Sequence, residues 1–417
     1  MKTTFLKIAF ISSLILSLAG CSSNDESDPE IAVDPPVTVP TDPLTTANAA
    51  TYMVDANATK ETVALFYNLK KLAKTKVAIG QQDAFNSFYE DAVGESDIKK
   101  NTGYDPAVLG SDFMFITDKN NNEQAGNWFY QQEQKIISDA KTAYEKGMIN
   151  TFCWHLREPN KEESFYTADM TTEEKSTAFK SILPGGANHE WYKKKLDKIA
   201  SVVSNLKGTK GELIPIIFRP FHEFDGNWFW WGESFCTAEE YKTAYQFTVD
   251  YLKNTKGVHN ILYAFSPDNS YSTTQGYLSR YPGDKYVDIL GMDNYGDLNN
   301  QGNDGVRRAN VKLKMISNMA LDKVKIAALT ETGYRVTATN PPVTNWFATN
   351  LYGALNDNPT FDLQIISISY VMFWNNTKDG YYVPNGSVSN ASDFKTFATK
   401  PKSALLNSLP KMYEMPK

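Results

Sequence analysis

The chain has 417 residues, a formal net charge of −6 and a pI near 5.5. That length holds one large domain or two ordinary ones, and the acidic balance argues against a nucleic-acid partner, which needs a basic footprint. With 23 Tyr, 23 Phe and 8 Trp, aromatic side chains are plentiful enough for carbohydrate contact, and equally for plain packing.

The first segment is expected to lie outside the fold. Lys2 and Lys7 flank an apolar run, Ile8 to Leu18, that is too short to span a bilayer as a helix. Leu18-Ala19-Gly20-Cys21 then resembles a bacterial lipobox, with cleavage before Cys21 and lipid on its thiol; an ordinary secretory signal is the alternative. The acidic run Ser22 to Asp28 resembles the export tag of surface lipoproteins in Bacteroidetes-type bacteria. Residues 1–20 therefore read as a signal peptide and 21–50 as a lipidated cysteine with a Pro-rich, acidic tether. An outer-membrane anchor follows, with the outer face favoured over the periplasmic one. Cys153 and Cys236 do not make a disulfide framework and are expected to stay free.

From residue 51 to 417 short apolar runs alternate with helical patterns. Strands are predicted at Val77–Gly80, Ala107–Gly110, Met148–Cys153, Leu213–Phe218, Asn260–Phe265, Val287–Met292, Lys325–Leu329 and Ile366–Phe373. Between them, Leu196, Ile199, Val203 and Leu206 recur at helical steps, and Thr237-Ala238-Glu239-Glu240 has the form of a capping box. Eight apolar strands, most followed by helix, imply parallel β-structure buried on both faces. A (β/α)8 barrel is the economical solution; a doubly wound sheet is the runner-up, weakened by the lack of a Gly-rich phosphate fingerprint.

What ends each strand carries the chemistry. The ends are Gln81-Gln82-Asp83, Ser111-Asp112, Trp154-His155, His222-Glu223, Ser266-Pro267-Asp268-Asn269, Asp293-Asn294-Tyr295, Glu331 and Trp374-Asn375-Asn376. In a barrel these share the rim on which active sites are built. Glu223 ends the fourth strand and Glu331 the seventh, so the pair can flank a glycosidic bond, one protonating the leaving oxygen while the other attacks carbon. The plainer alternative is a buried Glu paired with Arg219 or Arg335. Phe221, Phe224 and Trp228 stand close to Glu223 in sequence and suit an acid with a raised pKa; the Tyr295 hydroxyl and a guanidinium would suit an ionised Glu331.

The run Arg219-Pro220-Phe221-His222-Glu223-Phe224-Asp225-Gly226-Asn227-Trp228-Phe229-Trp230-Trp231-Gly232 resembles glycoside hydrolase family 26. Thr330-Glu331-Thr332-Gly333, Trp154-His155 and Tyr281-Pro282-Gly283-Asp284 extend the resemblance over about residues 60 to 410. It implies a retaining (β/α)8 glycosidase, mainly an endo-β-1,4-mannanase, acting on mannan, galactomannan or glucomannan without a cofactor, as a monomer. By the resemblance Glu223 is the acid/base and Glu331 the nucleophile. His222 contacts the hydroxyl next to the reacting carbon, His155 binds the sugar in the cleaved subsite and Trp374 is its stacking platform. Tyr295 holds the nucleophile, Arg219 braces the site and Trp228 lines the leaving-group side. Phe224-Asp225 departs from the Met-Asn expected there, which makes that side less defined. A mannobiose-releasing exo-enzyme, a β-glucanase or β-xylanase, and a non-catalytic surface glycan-binding lipoprotein are the alternatives. Trp230 and Trp231 read equally as subsites or loop packing, and Tyr271 and Tyr277 as packing. His189-Glu190 lacks a second His at metal-ligand spacing, so no metal site is expected.

Overall fold

The computed structural model describes residues 43–87, 92–356 and 366–417; the expected signal peptide, Cys21 and most of the tether lie outside the described residues. Eight strands form the frame: β1 (Val77–Gln82), β2 (Val108–Asp112), β3 (Ile149–Cys153) and β4 (Ile216–Arg219). They continue with β5 (Ile261–Phe265), β6 (Ile289–Asp293), β7 (Ile326–Thr332) and β8 (Tyr370–Phe373). Every strand pairs in parallel with the next in sequence, and β8 returns to β1, with Tyr370 opposite Ala78. The sheet is a closed (β/α)8 barrel, which excludes the doubly wound alternative. A two-residue strand, Ser403–Ala404, adds to the start of β1 outside the ring.

All eight predicted strands exist, and their bounds differ in one consistent way. All but the first, which starts at Val77 as predicted, begin later, and several run further, so Gln81, Gln82, Asp112, Arg219, Asp293 and Thr330 to Thr332 are strand residues. Apolar runs report burial, whereas a ladder continues as long as backbone partners exist. The polar residues are therefore held on the hydrogen-bonded frame rather than on the loops that follow it.

Alternation sorts the side chains. Ala78, Val108, Ile217, Leu262, Ala264, Ile289, Ala328, Tyr370 and Met372 form one buried cluster with Leu65, Phe66 and Leu69 of the helix Lys60–Leu72. The alternate set, including Phe152, Phe218, Phe265, Leu290, Leu329 and Val371, belongs to the layer between strands and surrounding helices. In that layer the predicted stripe Leu196, Ile199, Val203 and Leu206 is buried along and just past the helix His189–Asn205. Thr237 and Glu240 cap the helix Ala238–Asp250 reciprocally, as the capping-box pattern implies. Near the rim, space inside the barrel is tight: a Cβ at Gly291 would sit 2.7 Å from the Thr330 side chain.

Packing against the barrel begins before residue 51, where the sequence placed the start of the domain. Leu44 and Ala49 are buried in the cluster that holds the first helix, and Ala49–Tyr52 forms a 3-10 turn. Lys71 Nζ donates to the Leu44 carbonyl at 3.1 Å, and the Val54 N–H to Asp288 Oδ1 at 2.8 Å. Five prolines masked this boundary in the sequence, because composition alone does not separate a tether from an irregular segment that packs. A chain starting at residue 43 should therefore melt with the full chain. One starting at residue 51 loses the Leu44 side chain, worth roughly 1.5–3 kcal/mol when buried, and should melt several degrees lower by calorimetry.

Candidate active site

The seventh strand carries a bulge. Met292 pairs with Leu329 but Asp293 with Glu331, and on the other side Val371 pairs with Leu329 but Phe373 with Thr332. One residue is thus extra on β7 against both neighbours, which kinks the strand and re-aims the side chains around it. Thr330 donates to Asp293 Oδ1 at 2.7 Å, and the Asn294 N–H donates to the Glu331 carbonyl at 2.9 Å. Glycine follows at 333 for a steric reason: a Cβ there would lie 2.4 Å from the Tyr382 ring.

Arg219, the last residue of β4, joins three strands. Nη1 donates to Ser266 Oγ and to Asp293 Oδ2, each at 2.7 Å, and Nη2 donates to Glu331 Oε1. Burial works against the guanidinium charge, but Asp293 and Glu331 more than offset it and hold its pKa above the usual value. The second oxygen of Glu331 accepts from the Tyr295 hydroxyl at 3.0 Å. Burial, and then the neighbouring Glu331, push Tyr295 well up, so it keeps its proton and stays a donor. Both oxygens of Glu331 are thereby matched to donors.

Glu223 sits on a tightly turned loop. Phe221 and Glu223 both have positive φ, +51° and +52°, uncommon for residues with side chains. Three bonds hold this conformation: Glu223 N–H to the Ser266 carbonyl at 2.9 Å, Tyr241 hydroxyl to the Phe221 carbonyl at 3.0 Å, and Trp231 Nε1 to the His222 carbonyl at 2.7 Å. The carboxyl accepts from Trp228 Nε1 at 2.7 Å. Burial and, next, the charge of Glu331 push its pKa well above the carboxylate range. One oxygen each from Glu223, Asp293 and Glu331 lie within 4.8 Å of one another.

Just past the end of β3, His155 lies against His222, the two Nε2 atoms 3.3 Å apart, and His155 Nδ1 meets Asp112 Oδ2 at 2.6 Å. Trp374 meets the His155 ring edge-on with centroids 5.7 Å apart. Trp228 is 38% exposed, so its face is open to solvent on the side of Glu223. The structure therefore gathers all eight predicted site residues of the barrel on one rim.

Several sequence expectations need correction. Phe221 and Phe224 were expected to surround the Glu223 carboxyl, but their rings pack in the outer aromatic layer, Phe221 with Phe179 and Tyr241, Phe224 with Tyr241 and Phe265. Burial at the rim and the Glu331 charge raise Glu223 instead. Trp230 and Trp231 are fully buried and donate to the carbonyls of Leu156 and His222, both at 2.7 Å, so they are packing and not subsites. Tyr271 and Tyr277 are buried, as their packing role implies, and Cys153 and Cys236 are buried free thiols.

Sequence reasoning left out Asp112, Ser266 and Asp293 as site residues, although each stood in a polar strand end; nothing in the local sequence ranked them above the others. Tyr166 carried no signal at all. It is brought to the rim by pairing of its segment with the Trp228 loop, where Thr167 N–H donates to the Trp228 carbonyl at 2.8 Å. Its ring is 46% exposed and stacks on Phe229 with centroids 5.7 Å apart.

A carboxyl that retains its proton, placed beside a second carboxyl matched to a guanidinium and a phenol, is equipped for acid and nucleophilic chemistry on an acetal. Known proteins carry the same arrangement of chain. A mannan endo-1,4-beta-mannosidase of Bifidobacterium adolescentis is 35% identical over 84% of this chain, which spans 35% of that longer protein. A Bacillus subtilis protein of the same name is 27% identical over 58% of this chain and 66% of its own length. Among solved structures, GH26C from a Muricauda species is 55% identical with a TM-score of 0.87, covering 90% of this chain and 99% of that one. A GH26 beta-mannanase from Bacteroides ovatus is 31% identical with a TM-score of 0.75, over 86% and 98% of the two chains. The model of glycosyl hydrolase family 26 matches residues 54–339, and this chain belongs to that family.

Proposed function

We propose that the protein is a retaining endo-β-1,4-mannanase that hydrolyses mannan, galactomannan or glucomannan by double displacement. The observation that carries this is the Glu223–Glu331 pair, with carboxylate oxygens within 4.8 Å. Retaining glycosidases hold their carboxyl groups about 5–5.5 Å apart, whereas inverting ones need about 6.5–9.5 Å to admit a water. The substrate class rests on the names of the relatives at similar length or fold.

In this mechanism Glu223 protonates the leaving oxygen while Glu331 attacks the anomeric carbon. Glu223, now a carboxylate, takes a proton from water, and that water displaces Glu331 from the sugar. Arg219 and Tyr295 orient the attacking oxygen, and the Trp228 indole N–H steers the acid. His222 contacts the hydroxyl beside the reacting carbon, His155 and Trp374 hold the sugar in the cleaved subsite, and Trp228 lines the leaving-group side. The signal-like start and the lipobox-like Leu18-Ala19-Gly20-Cys21 support lipid on Cys21 and, through it, an outer-membrane anchor with the domain on the outer face.

Glu331→Ala should lower kcat on mannan by at least about 1,000-fold with little change in binding. Glu223→Ala should lose far less on an aryl mannoside whose leaving group needs no protonation than on mannan. Mixed short oligomers from intact mannan, with no turnover of lichenan or β-xylan, are expected from chromatography; mannobiose alone would indicate exo action. Binding of mannan by a parent that hydrolyses none of these would replace catalysis with glycan capture.

Glu223 also has a stability signature. Its folded pKa is raised, so above about pH 4.3, where the unfolded side chain ionises, the unfolded state gains relative to the fold. Glu223→Gln removes that cost. The variant should melt higher than the parent at pH 7.5, with the difference vanishing about a unit below pH 4.3, where both states are protonated.

A further inference from the structure

Asp112 closes β2 beside His155. Its Oδ1 accepts from the backbone N–H groups of Met114 at 2.8 Å and of His155 at 3.1 Å, leaving Oδ2 to meet His155 Nδ1 at 2.6 Å. Burial opposes its charge, while the hydrogen bonds that it accepts from His155 and from those backbone N–H groups favour the carboxylate. A carboxylate only accepts, so Nδ1 of His155 carries a proton. Cys153 Sγ, 3.8 Å from the same nitrogen, is too weak a partner to compete.

The consequence passes to the second histidine. His155 Nε2 lies 3.3 Å from His222 Nε2, with the rings 82° apart. Burial, and then the Arg219 charge, push the pKa of His222 well down, so that ring is neutral and holds one proton. His222 Nδ1 is buried with no partner among the described residues. Were His155 doubly protonated, its Nε2–H would point at His222 and force the His222 proton onto that buried Nδ1. An orphaned buried N–H is rarer and costlier than an orphaned lone pair. The single-proton arrangement leaves Nδ1 bare and sends the His222 proton to Nε2, towards His155.

We propose that Asp112 is a positioning residue that fixes both histidine tautomers, so that His155 Nε2 presents a lone pair beside the Nε2–H of His222. In this structure the two are hydrogen-bonded to each other; a sugar hydroxyl that enters between them replaces that bond, donating to His155 and accepting from His222. The inference rests on the sugar-binding reading of these histidines, but its first test does not depend on activity.

The chain has four histidines, so selective 15N labelling with single-residue variants assigns each ring. In the unmodified protein, long-range 15N–1H spectra should show His155 protonated at Nδ1 and His222 at Nε2. The opposite tautomer at either ring would overturn the proposal. Asp112→Asn gives a sharper outcome. The backbone N–H groups of Met114 and His155 hold the amide oxygen, so the new NH2 faces His155 Nδ1 and drives its proton to Nε2, against His222. The spectra should show that switch, and kcat/KM on mannotetraose should fall on the order of 100-fold. Asp112→Ala imposes no tautomer and should lose no more than Asp112→Asn at equal melting temperature. If Asn instead kept most activity while Ala lost it, Asp112 would serve packing alone. Were the parent itself inactive on mannans, the mannanase reading would fail while the ring assignments in the unmodified protein still decided this one.

Discussion

The buried guanidinium of Arg219 is the constraint on which the rest of the site depends. It is nearly excluded from water, yet it touches carboxylates on β6 and β7 and the hydroxyl of Ser266, the residue just past β5. A desolvated cation is tolerable only with such partners, and removing one leaves a buried charge uncompensated. Asp293 therefore does more than brace: it keeps the guanidinium charge-balanced while Glu331 Oε1 occupies the other nitrogen. The bulge in β7 completes the arrangement, because without the extra residue Glu331 would fall out of phase with the rim.

Around this fixed half, the other carboxyl is placed by a different device. Glu223 rides on a loop with two residues of positive φ, a conformation that persists only if its surroundings over-determine it. Trp230, Trp231 and Tyr241 do so by donating to the carbonyls of the loop and its neighbour while their rings fill the outer core. Bulky aromatics thus serve the chemistry indirectly. They convert burial of their rings into a rigid seat for an acid, and the one exposed indole of the run, Trp228, is the one that reaches Glu223.

Much of this was legible in the sequence, and the parts that were not share a cause. Eight apolar runs specified the barrel because parallel strands buried on both faces must be continuously hydrophobic. Glu223 and Glu331 stood out because a carboxylate at the end of such a run has no packing use. Asp112 and Asp293 were visible but unranked, since their importance lies in partners 43 and 74 residues distant in sequence. The bulge was invisible: Thr330-Glu331-Thr332 looks like loop sequence, and only the pairing of both neighbours shows one residue too many. Leu44 and Ala49 were hidden among prolines. Exposure was the weakest inference, as Trp228 and Trp231 differ by three positions and lie on opposite sides of the boundary between solvent and core.

The central claim is that Glu223 and Glu331 are close enough for direct attack on the sugar, and stereochemistry tests it directly. Hydrolysis of mannotetraose followed by 1H NMR from the first minutes reports the anomer born at the new reducing end. Attack by Glu331 followed by water gives the β-anomer first, with α growing only by mutarotation. The α-anomer appearing first would mean inversion by a single displacement, and would contradict the account.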